Sequence, residues 1–190
     1  MWNLGLILLL GAAPVEAGPT SYLAVIRNAP DFSLTNQSGT RVRLRDLRGQ
    51  VLLVSFIFTT CNGSCPATTH RMCQVQEELK KRSIPAGQVR LLSITLDPAR
   101  DTAEVLRSYA QLYDCDLNGW DLLCGPPPEV GPVIASWGMW ARPAANGQLD
   151  HPSRVFLVDR KGQIREIYNL SFLKPPWVVD DIAALQRETP

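Results

Sequence analysis

The sequence has little net charge, no internal repeat and no low-complexity tract. The 19 Lys and Arg residues nearly balance the 18 Asp and Glu residues, which leaves a formal charge of +1. Nothing in this balance indicates nucleic acid or an anionic membrane surface as a partner. What remains is a globular chain of 190 residues, 45% of them hydrophobic. That length suffices for a single domain that buries roughly 70% of its unfolded surface.

The N-terminal segment lacks an apolar run long enough for an ordinary membrane span. Residues 4–10 are apolar apart from one glycine and the run ends by Ala13, whereas a span needs about 20 residues. Val15–Ala17 place small residues at both positions of a secretory cleavage motif. The first residues contain no Lys or Arg, so an uncleaved anchor or a misassigned start stays open. We expect residues 1–17 to be a signal peptide or short anchor. The protein would then be exported, to the periplasm or the outer face of the cytoplasmic membrane, where disulfides persist.

The most informative stretch is VLLVSFIFTTCNGSCP, residues 51–66. Residues 51–58 are almost entirely apolar and rich in β-branched and aromatic types, which predicts a central strand buried on both faces. From Pro66 to Arg82 the pattern becomes helical, and proline suits a first helical turn. Cys61 and Cys65 therefore lie where a buried strand passes to a helix N-terminus, and free N–H groups there favour thiolates.

The spacing of Cys61 and Cys65 allows both sulfur atoms to lie on one side of a partly helical turn. They would then be close enough to share a ligand or to form a disulfide. We predict a redox-active pair. A purely structural disulfide is the alternative, although two cysteines this close in sequence have no long loop to constrain.

Strands alternate with helices along the rest of the chain. The predicted elements are an N-terminal hairpin turning at 36–39, a buried strand at 89–96, helices at 101–113 and 129–137, a hairpin of strands 151–158 and 164–168, and a closing helix at 176–186. Together with the central strand and its helix, they predict an α/β fold, a thioredoxin-like three-layer sandwich with a mixed central sheet flanked by helices. We divide the chain into a flexible lead at 18–28 and one domain at 29–188.

Three motifs together resemble the Sco (SenC) family of copper-delivery and redox proteins. They are FIFTTCNGSCP, LDPARDTAEVLRSYA and DHPSRVFLVDRKGQ, and the resemblance covers about Ala29 to Ala184. The pattern is C-x3-C-P after a strand, followed much later by one His, an apolar strand and an Asp-x-x-Gly turn. Thioredoxins themselves have two residues between their cysteines, whereas this chain has three.

The resemblance implies that copper is bound by Cys61, Cys65 and His151. It also implies assistance to the dinuclear copper site of cytochrome c oxidase. Partners would be the copper-site subunit of that oxidase or another copper protein, and a thioredoxin-like reductant. Pro152 departs from the family, which more often has a small polar residue after its His.

The chemistry of these residues agrees with that reading. Two thiolates and an imidazole suit Cu(I) and can also accept Cu(II). A Cys61–Cys65 disulfide would remove both thiolates, so metal loading and disulfide formation exclude each other. A thiol–disulfide oxidoreductase that reduces a partner's copper-ligand cysteines, a copper or redox sensor, and a peroxiredoxin-like enzyme remain as alternatives. We expect Cys61 to be the more exposed thiol and the first nucleophile.

The remaining cysteines and the other histidine, His70, have different interpretations. A zinc knuckle of Cys61, Cys65, His70 and Cys73 would have two wrong spacings, so we predict that Cys73 lies in the core and His70 is exposed. Cys115 and Cys124 are predicted to lie in one loop. They would be joined as a local disulfide or left as two free thiols.

Two aspartates and two tryptophans complete the candidates. Asp97 ends a predicted strand at the sheet edge where ligands of α/β proteins gather, or it is a turn residue before the next helix. Asp101 is predicted to be the N-cap of that helix. Trp137 and Trp140 are predicted to be core or lid residues.

Overall fold

The computed structural model describes residues 22–188, so the targeting segment predicted at 1–17 lies outside the described residues. Within this range the chain forms one eight-stranded mixed sheet, a separate two-stranded ribbon and four α-helices. The strands are β1 (Arg27–Asn28), β2 (Ser33–Asn36), β3 (Arg41–Arg43), β4 (Val51–Ile57), β5 (Val89–Thr95), β6 (Trp120–Cys124), β7 (Arg142–Pro143), β8 (Leu149–Asp150), β9 (Val155–Val158) and β10 (Gln163–Tyr168). The helices are α1 (Ser64–Lys81), α2 (Ala103–Leu112), α3 (Pro127–Ser136) and α4 (Pro175–Arg187), with a 3-10 turn at Leu44–Leu47.

The sheet has the order β1-β10-β9-β4-β5-β6-β2-β3, and β7-β8 form the ribbon. Strands β4, β5 and β6 are parallel to one another, while β9 runs antiparallel to β4. Helices α1 and α4 pack on each other and on β4, α2 packs on β6, and α3 packs on β2. The mixed sheet flanked by helices confirms the predicted thioredoxin-like fold class.

The central strand β4 is buried at every position, as its continuous apolar run predicts. Its polar residue Ser55 lies directly opposite Ser93 of β5, and the two hydroxyls are 2.8 Å apart. The indole N–H of Trp120 donates to Ser93 at 3.0 Å. A hydroxyl in the sheet interior is tolerated here because its hydrogen bonds are made within the core.

Helix α1 begins at Ser64, two residues earlier than predicted, and ends at Lys81 with lysines in its last turn. Pro66 therefore lies within the first turn, where a missing N–H leaves no hydrogen bond broken. The buried side chains recur at helical spacing along one face: Cys65, Thr68, Thr69, Met72, Val75, Gln76 and Leu79. This face anchors the helix against the sheet and so determines where Cys65 lies.

The prediction that Cys115 and Cys124 share one loop is wrong for Cys124, which ends the buried strand β6. The strand was missed because Asp121 interrupts its apolar run. In the structure Asp121 is buried, accepts a hydrogen bond from the Asn36 amide at 2.8 Å and pairs with Arg90 at 2.6 Å. A buried carboxylate with both partners in place fits a strand interior, and its partners are distant in sequence.

The predicted N-terminal hairpin is present as β2 and β3. Its turn is closed by the side-chain carbonyl oxygen of Asn36, which accepts hydrogen bonds from the backbone N–H groups of Ser38 and Thr40.

Of the predicted flexible lead, residues 22–28 are described. There Leu23 is buried and β1 pairs with β10 at the edge of the sheet. Across residues 22–188, no helix has both the length and the apolar character needed to cross a membrane.

Candidate metal centre

The structure brings together the three side chains that the sequence selected as metal ligands. Among residues 22–188, one group of three Cys, His, Asp or Glu residues is clustered closely enough to hold a metal ion: Cys61, Cys65 and His151. Their ligand atoms all lie within 4.8 Å of one another. Cys61 and Cys65 are four positions apart, but His151 is far away in sequence, so tertiary structure completes the cluster.

Sheet topology explains why His151 reaches the two thiols. Strand β9 pairs antiparallel with β4, with Val155 opposite Ser55 and Val158 opposite Leu52. The segment that leads into β9 therefore lies at the edge where β4 ends. His151 is in that segment, and the turn after β4 carries Cys61.

The two thiols have different surroundings. Cys61 is half-buried in the turn before α1, and its sulfur accepts a hydrogen bond from the Gly63 N–H at 3.3 Å. Cys65, in the first turn of α1, is only 1% exposed. Burial strongly raises the pKa of Cys65, and the neighbouring Cys61 sulfur raises it further. Cys61 is therefore the thiol that solvent and partners reach more easily.

His151 presents one ring nitrogen to the cysteines. Its Nε2 is 3.6 Å from the sulfur of Cys65, and its Nδ1 is 3.0 Å from the carbonyl oxygen of Pro152. A carbonyl can only accept, so this contact favours the proton on Nδ1 and leaves the Nε2 lone pair directed at the thiols. The ring also packs edge-on against Phe58, with centroids 5.5 Å apart.

A residue that sequence reasoning missed connects the two halves of the cluster. Gln148 donates from Nε2 to the carbonyl of Thr60 at 3.1 Å and accepts from the N–H of Asn62 at 3.0 Å. Its side chain thus bonds to the backbone on both sides of Cys61, and it lies three positions before His151. A glutamine in a polar turn carries no sequence signal that would distinguish it.

Asp101 is not the N-cap of α2, so that prediction is wrong; the capping side chain is that of Thr102. Asp101 is 1% exposed and accepts hydrogen bonds from the hydroxyls of Thr59 and Thr95, both at 2.6 Å. These two hydrogen bonds connect the end of β5 to the turn that precedes Cys61. Burial raises the pKa of Asp101, and its charge contributes to raising the pKa of Cys65.

The other sequence candidates lie outside the cluster. The Asp97 carbonyl accepts the N–H of Asp101 in the turn after β5, and its side chain pairs with Arg100. His70 is exposed on α1, and Cys73 is half-buried against the core.

The two tryptophans differ from each other. Trp137 is fully buried against Phe56 and Phe156, whereas Trp140 is 39% exposed. The guanidinium of Arg142 lies 5.0 Å from the centre of the Trp140 ring. Neither tryptophan is part of the cluster.

Comparison with known proteins agrees with this arrangement. The family model described as SCO1/SenC matches residues 23–186. A relative described as SCO1 protein homolog, from Bacillus subtilis strain 168, is 33% identical over 141 residues, or 73% of this chain and 72% of that protein.

Solved structures of Sco proteins are also similar to this chain. ScoI from Bradyrhizobium japonicum, whose structure has copper bound, superposes with a TM-score of 0.70 at 28% identity, covering 85% of this chain and 99% of that one. BsSco, described with a disulfide switch and as a member of the Sco family of cytochrome c oxidase assembly proteins, superposes with a TM-score of 0.74 at 29% identity, covering 86% and 96%. The fold, the ligand cluster and a family match over most of the chain lead to one conclusion: this protein belongs to the SCO1/SenC family.

Proposed function

We propose that this protein binds one copper ion through Cys61, Cys65 and His151 and delivers it during assembly of the dinuclear copper site of cytochrome c oxidase. The observation that carries the proposal is the convergence of two sulfur atoms and one imidazole nitrogen within 4.8 Å. Soft thiolates with an imidazole are a donor set for Cu(I), and the same set accepts Cu(II). The copper-bound relative and the assembly role described for BsSco support the same conclusion.

The position of the cluster suits transfer rather than permanent storage. Cys61 and His151 are half-buried while Cys65 is buried, so the site is open on one side. A partner's ligands can approach from that side and replace Cys61 and His151 one at a time. Copper is cargo in this scheme, and the chain's own residues hold and release it.

Competition with a chelator tests the metal assignment. Under anaerobic conditions, Cu(I) is titrated into the reduced protein against a chelator of known affinity. We expect one copper per chain, and His151→Ala should weaken binding roughly 10- to 100-fold or more, because even the loss of an outer-shell partner of a metal ligand reaches that range. The matched control is His70→Ala, because His70 is the other of the two histidines in the chain and lies on the exposed face of α1. Unchanged affinity in the His151 variant, or an equal loss in the His70 variant, contradicts the proposal.

A second candidate function is thiol–disulfide exchange, favoured by the exposure difference between the two thiols. The Cys61 thiolate would attack a partner's disulfide to form a mixed disulfide and release one partner thiolate. Cys65 would then attack Cys61, which releases the second partner thiolate and leaves a Cys61–Cys65 disulfide. This activity requires both cysteines but not His151, so full reductase activity with unchanged copper affinity in His151→Ala would favour it over delivery.

The location and partners belong to the same proposal. We place the protein outside the cytoplasm, in the periplasm or on the outer membrane face, on the composition of residues 1–17. Its clients would be the copper-site subunit of cytochrome c oxidase or another copper protein, and a thioredoxin-like protein would return Cys61 and Cys65 to the thiol state. Residues 29–188 would carry these functions as one domain.

A further inference from the structure

A second pair of thiols lies outside the copper cluster. Cys73 lies on α1 and Cys115 lies in the loop after α2, and their side chains interact. The thiol of Cys73 also donates to the carbonyl of Tyr113 at 3.4 Å. Both cysteines are half-buried and packed against the hydrophobic core, and both are free thiols in the structure.

Hydrogen bonds on both sides of Cys73 fix the position of α1 relative to α2 and the loop after it. One turn after Cys73, Gln76 donates to the carbonyl of Asp116 at 2.7 Å and accepts the N–H of Asp116 at 3.1 Å. One turn before Cys73, the hydroxyls of Thr69 and Tyr109 are 2.7 Å apart. The face of α1 that carries Cys73 is therefore fastened to the end of α2 and its loop on both sides of the pair.

We propose that Cys73 and Cys115 are a second disulfide-forming site, independent of the copper cluster. Cys115 lies between Tyr113, whose carbonyl accepts from the Cys73 thiol, and Asp116, whose backbone bonds to Gln76. The chain is therefore held against the Cys73 face of α1 on both sides of Cys115, which places the two cysteines near enough for a disulfide with a bond length of about 2.05 Å. Cys124 is excluded as the natural partner of Cys115, because it is buried at the end of β6 and Cys115 is engaged with Cys73.

The interaction between the two thiols also favours one order of the chemistry. It lowers the pKa of Cys73 and raises that of Cys115. Cys73 is therefore the nucleophile. Its thiolate attacks a disulfide oxidant of the glutathione type, which forms a mixed disulfide and releases one glutathione thiolate. Cys115 loses its proton to that thiolate and attacks the Cys73 sulfur, which releases the second glutathione thiolate. Two thiols are oxidised by two electrons, and the oxidant is reduced by two.

The second site cannot exchange directly with the first. Cys65 and Cys73 lie on the same helix, eight residues or about 12 Å apart along its axis. Thiol–disulfide exchange requires sulfur atoms in contact. The chain thus carries two separate dithiols that share α1 and can be oxidised one without the other.

Disulfide mapping tests the proposal in a Cys61→Ser, Cys65→Ser background, which leaves Cys73, Cys115 and Cys124. The full, metal-free chain is treated with oxidised glutathione, its thiols are counted, and its peptides are analysed by mass spectrometry. We expect loss of two thiols and a peptide that joins Cys73 to Cys115. We also expect a melting temperature roughly 5–15 °C above that of the reduced form, because the bond closes a long loop.

Two further variants serve as controls. Cys124→Ser should retain the bond, whereas Cys73→Ser should abolish it and leave Cys115 as a glutathione adduct. The wild-type chain, mapped in parallel, should show the Cys73–Cys115 peptide as well. A Cys115–Cys124 bond overturns the proposal, as do glutathione adducts on Cys73 and Cys115 without a bond between them. Because no copper is used, failure here leaves the proposed copper function standing.

Discussion

The two dithiols of this protein share helix α1 but differ in what surrounds them. Cys61 and Cys65 lie at the edge of the sheet where β4 ends, and His151 supplies a third donor atom to them. Cys73 lies further along α1, next to the loop that carries Cys115, and its thiol donates to the Tyr113 carbonyl. Three converging donors can hold a metal ion, whereas two thiols beside a carbonyl can form a disulfide. The difference lies in the neighbours and not in the cysteines.

The thiols within each pair are also unequal, for different physical reasons. In the first pair burial separates the two, since Cys65 is enclosed and its pKa is raised. In the second pair the interaction between the two thiols separates them, because it lowers the pKa of Cys73 and raises that of Cys115. Each pair therefore has one preferred nucleophile.

The largest expected effect distinguishes the pairs by metal binding. Replacing Cys61 and Cys65 together by serine should abolish binding of Cu(I), because two of the three donors are lost. Replacing Cys73 and Cys115 together by serine should leave one copper per chain at wild-type affinity. Anaerobic titration against a chelator measures both. Loss of copper from the second variant would show that the pairs act as one site.

The next effect concerns the order of alkylation. In the reduced, metal-free protein, limiting iodoacetamide at pH 7.5 should label Cys61 and Cys73 at least about tenfold faster than Cys65 and Cys115, because the thiolate is the reactive form. Raising the pH should increase the label on Cys65, whose pKa burial raises. Peptide mapping of the label gives the four rates.

Denatured protein is the control for this experiment, since all cysteines should then react at similar rates. Preferential labelling of Cys65 over Cys61 would show that the three-residue spacer reverses the expected order. Preferential labelling of Cys115 over Cys73 would contradict the lower pKa expected for Cys73.

The smallest effect tests how the copper cluster is held. Gln148→Ala removes two hydrogen bonds to the backbone around Cys61. At about 0.5–1.5 kcal/mol for each net hydrogen bond, part of which is lost from the metal-bound state, we expect copper affinity to fall about 2- to 10-fold. The thiol reactivity of Cys73 should not change.

Gln186→Ala is the matched control for Gln148→Ala. Gln186 is a half-buried glutamine on α4 whose amide bonds to Gln88 at 3.1 Å, and it lies outside the copper cluster. An equal loss of copper affinity in both variants would show that Gln148 has no particular role.

Local sequence signals predicted most of the regular structure. The apolar run at 51–58 indicated the central strand, and the change of period after it indicated α1. These elements are determined by hydrophobic periodicity over adjacent residues. Strand β6 escaped this reasoning because Asp121 breaks its apolar run and finds its partners, Asn36 and Arg90, elsewhere in the chain.

The residues of the candidate site also differ in whether a local sequence pattern predicts them. Cys61 and Cys65 were found from their spacing and from their place between a strand and a helix. His151 was found through the resemblance to a family and not through any local property. Asp101 was assigned to the wrong role, because helix-capping statistics favour an aspartate there and could not foresee the hydroxyls of Thr59 and Thr95.

The sequence by itself determined which residues of this protein carry reactive chemistry and which segments form its strands and helices, because both depend on residue type and short-range spacing. Tertiary structure alone decided which of the five cysteines meet. The antiparallel pairing of β9 with β4 brings His151 to Cys61 and Cys65, and the packing of α1 against the end of α2 brings Cys115 to Cys73 rather than to Cys124. Contacts between residues distant in sequence arise from packing of the whole chain, so no local pattern encodes them.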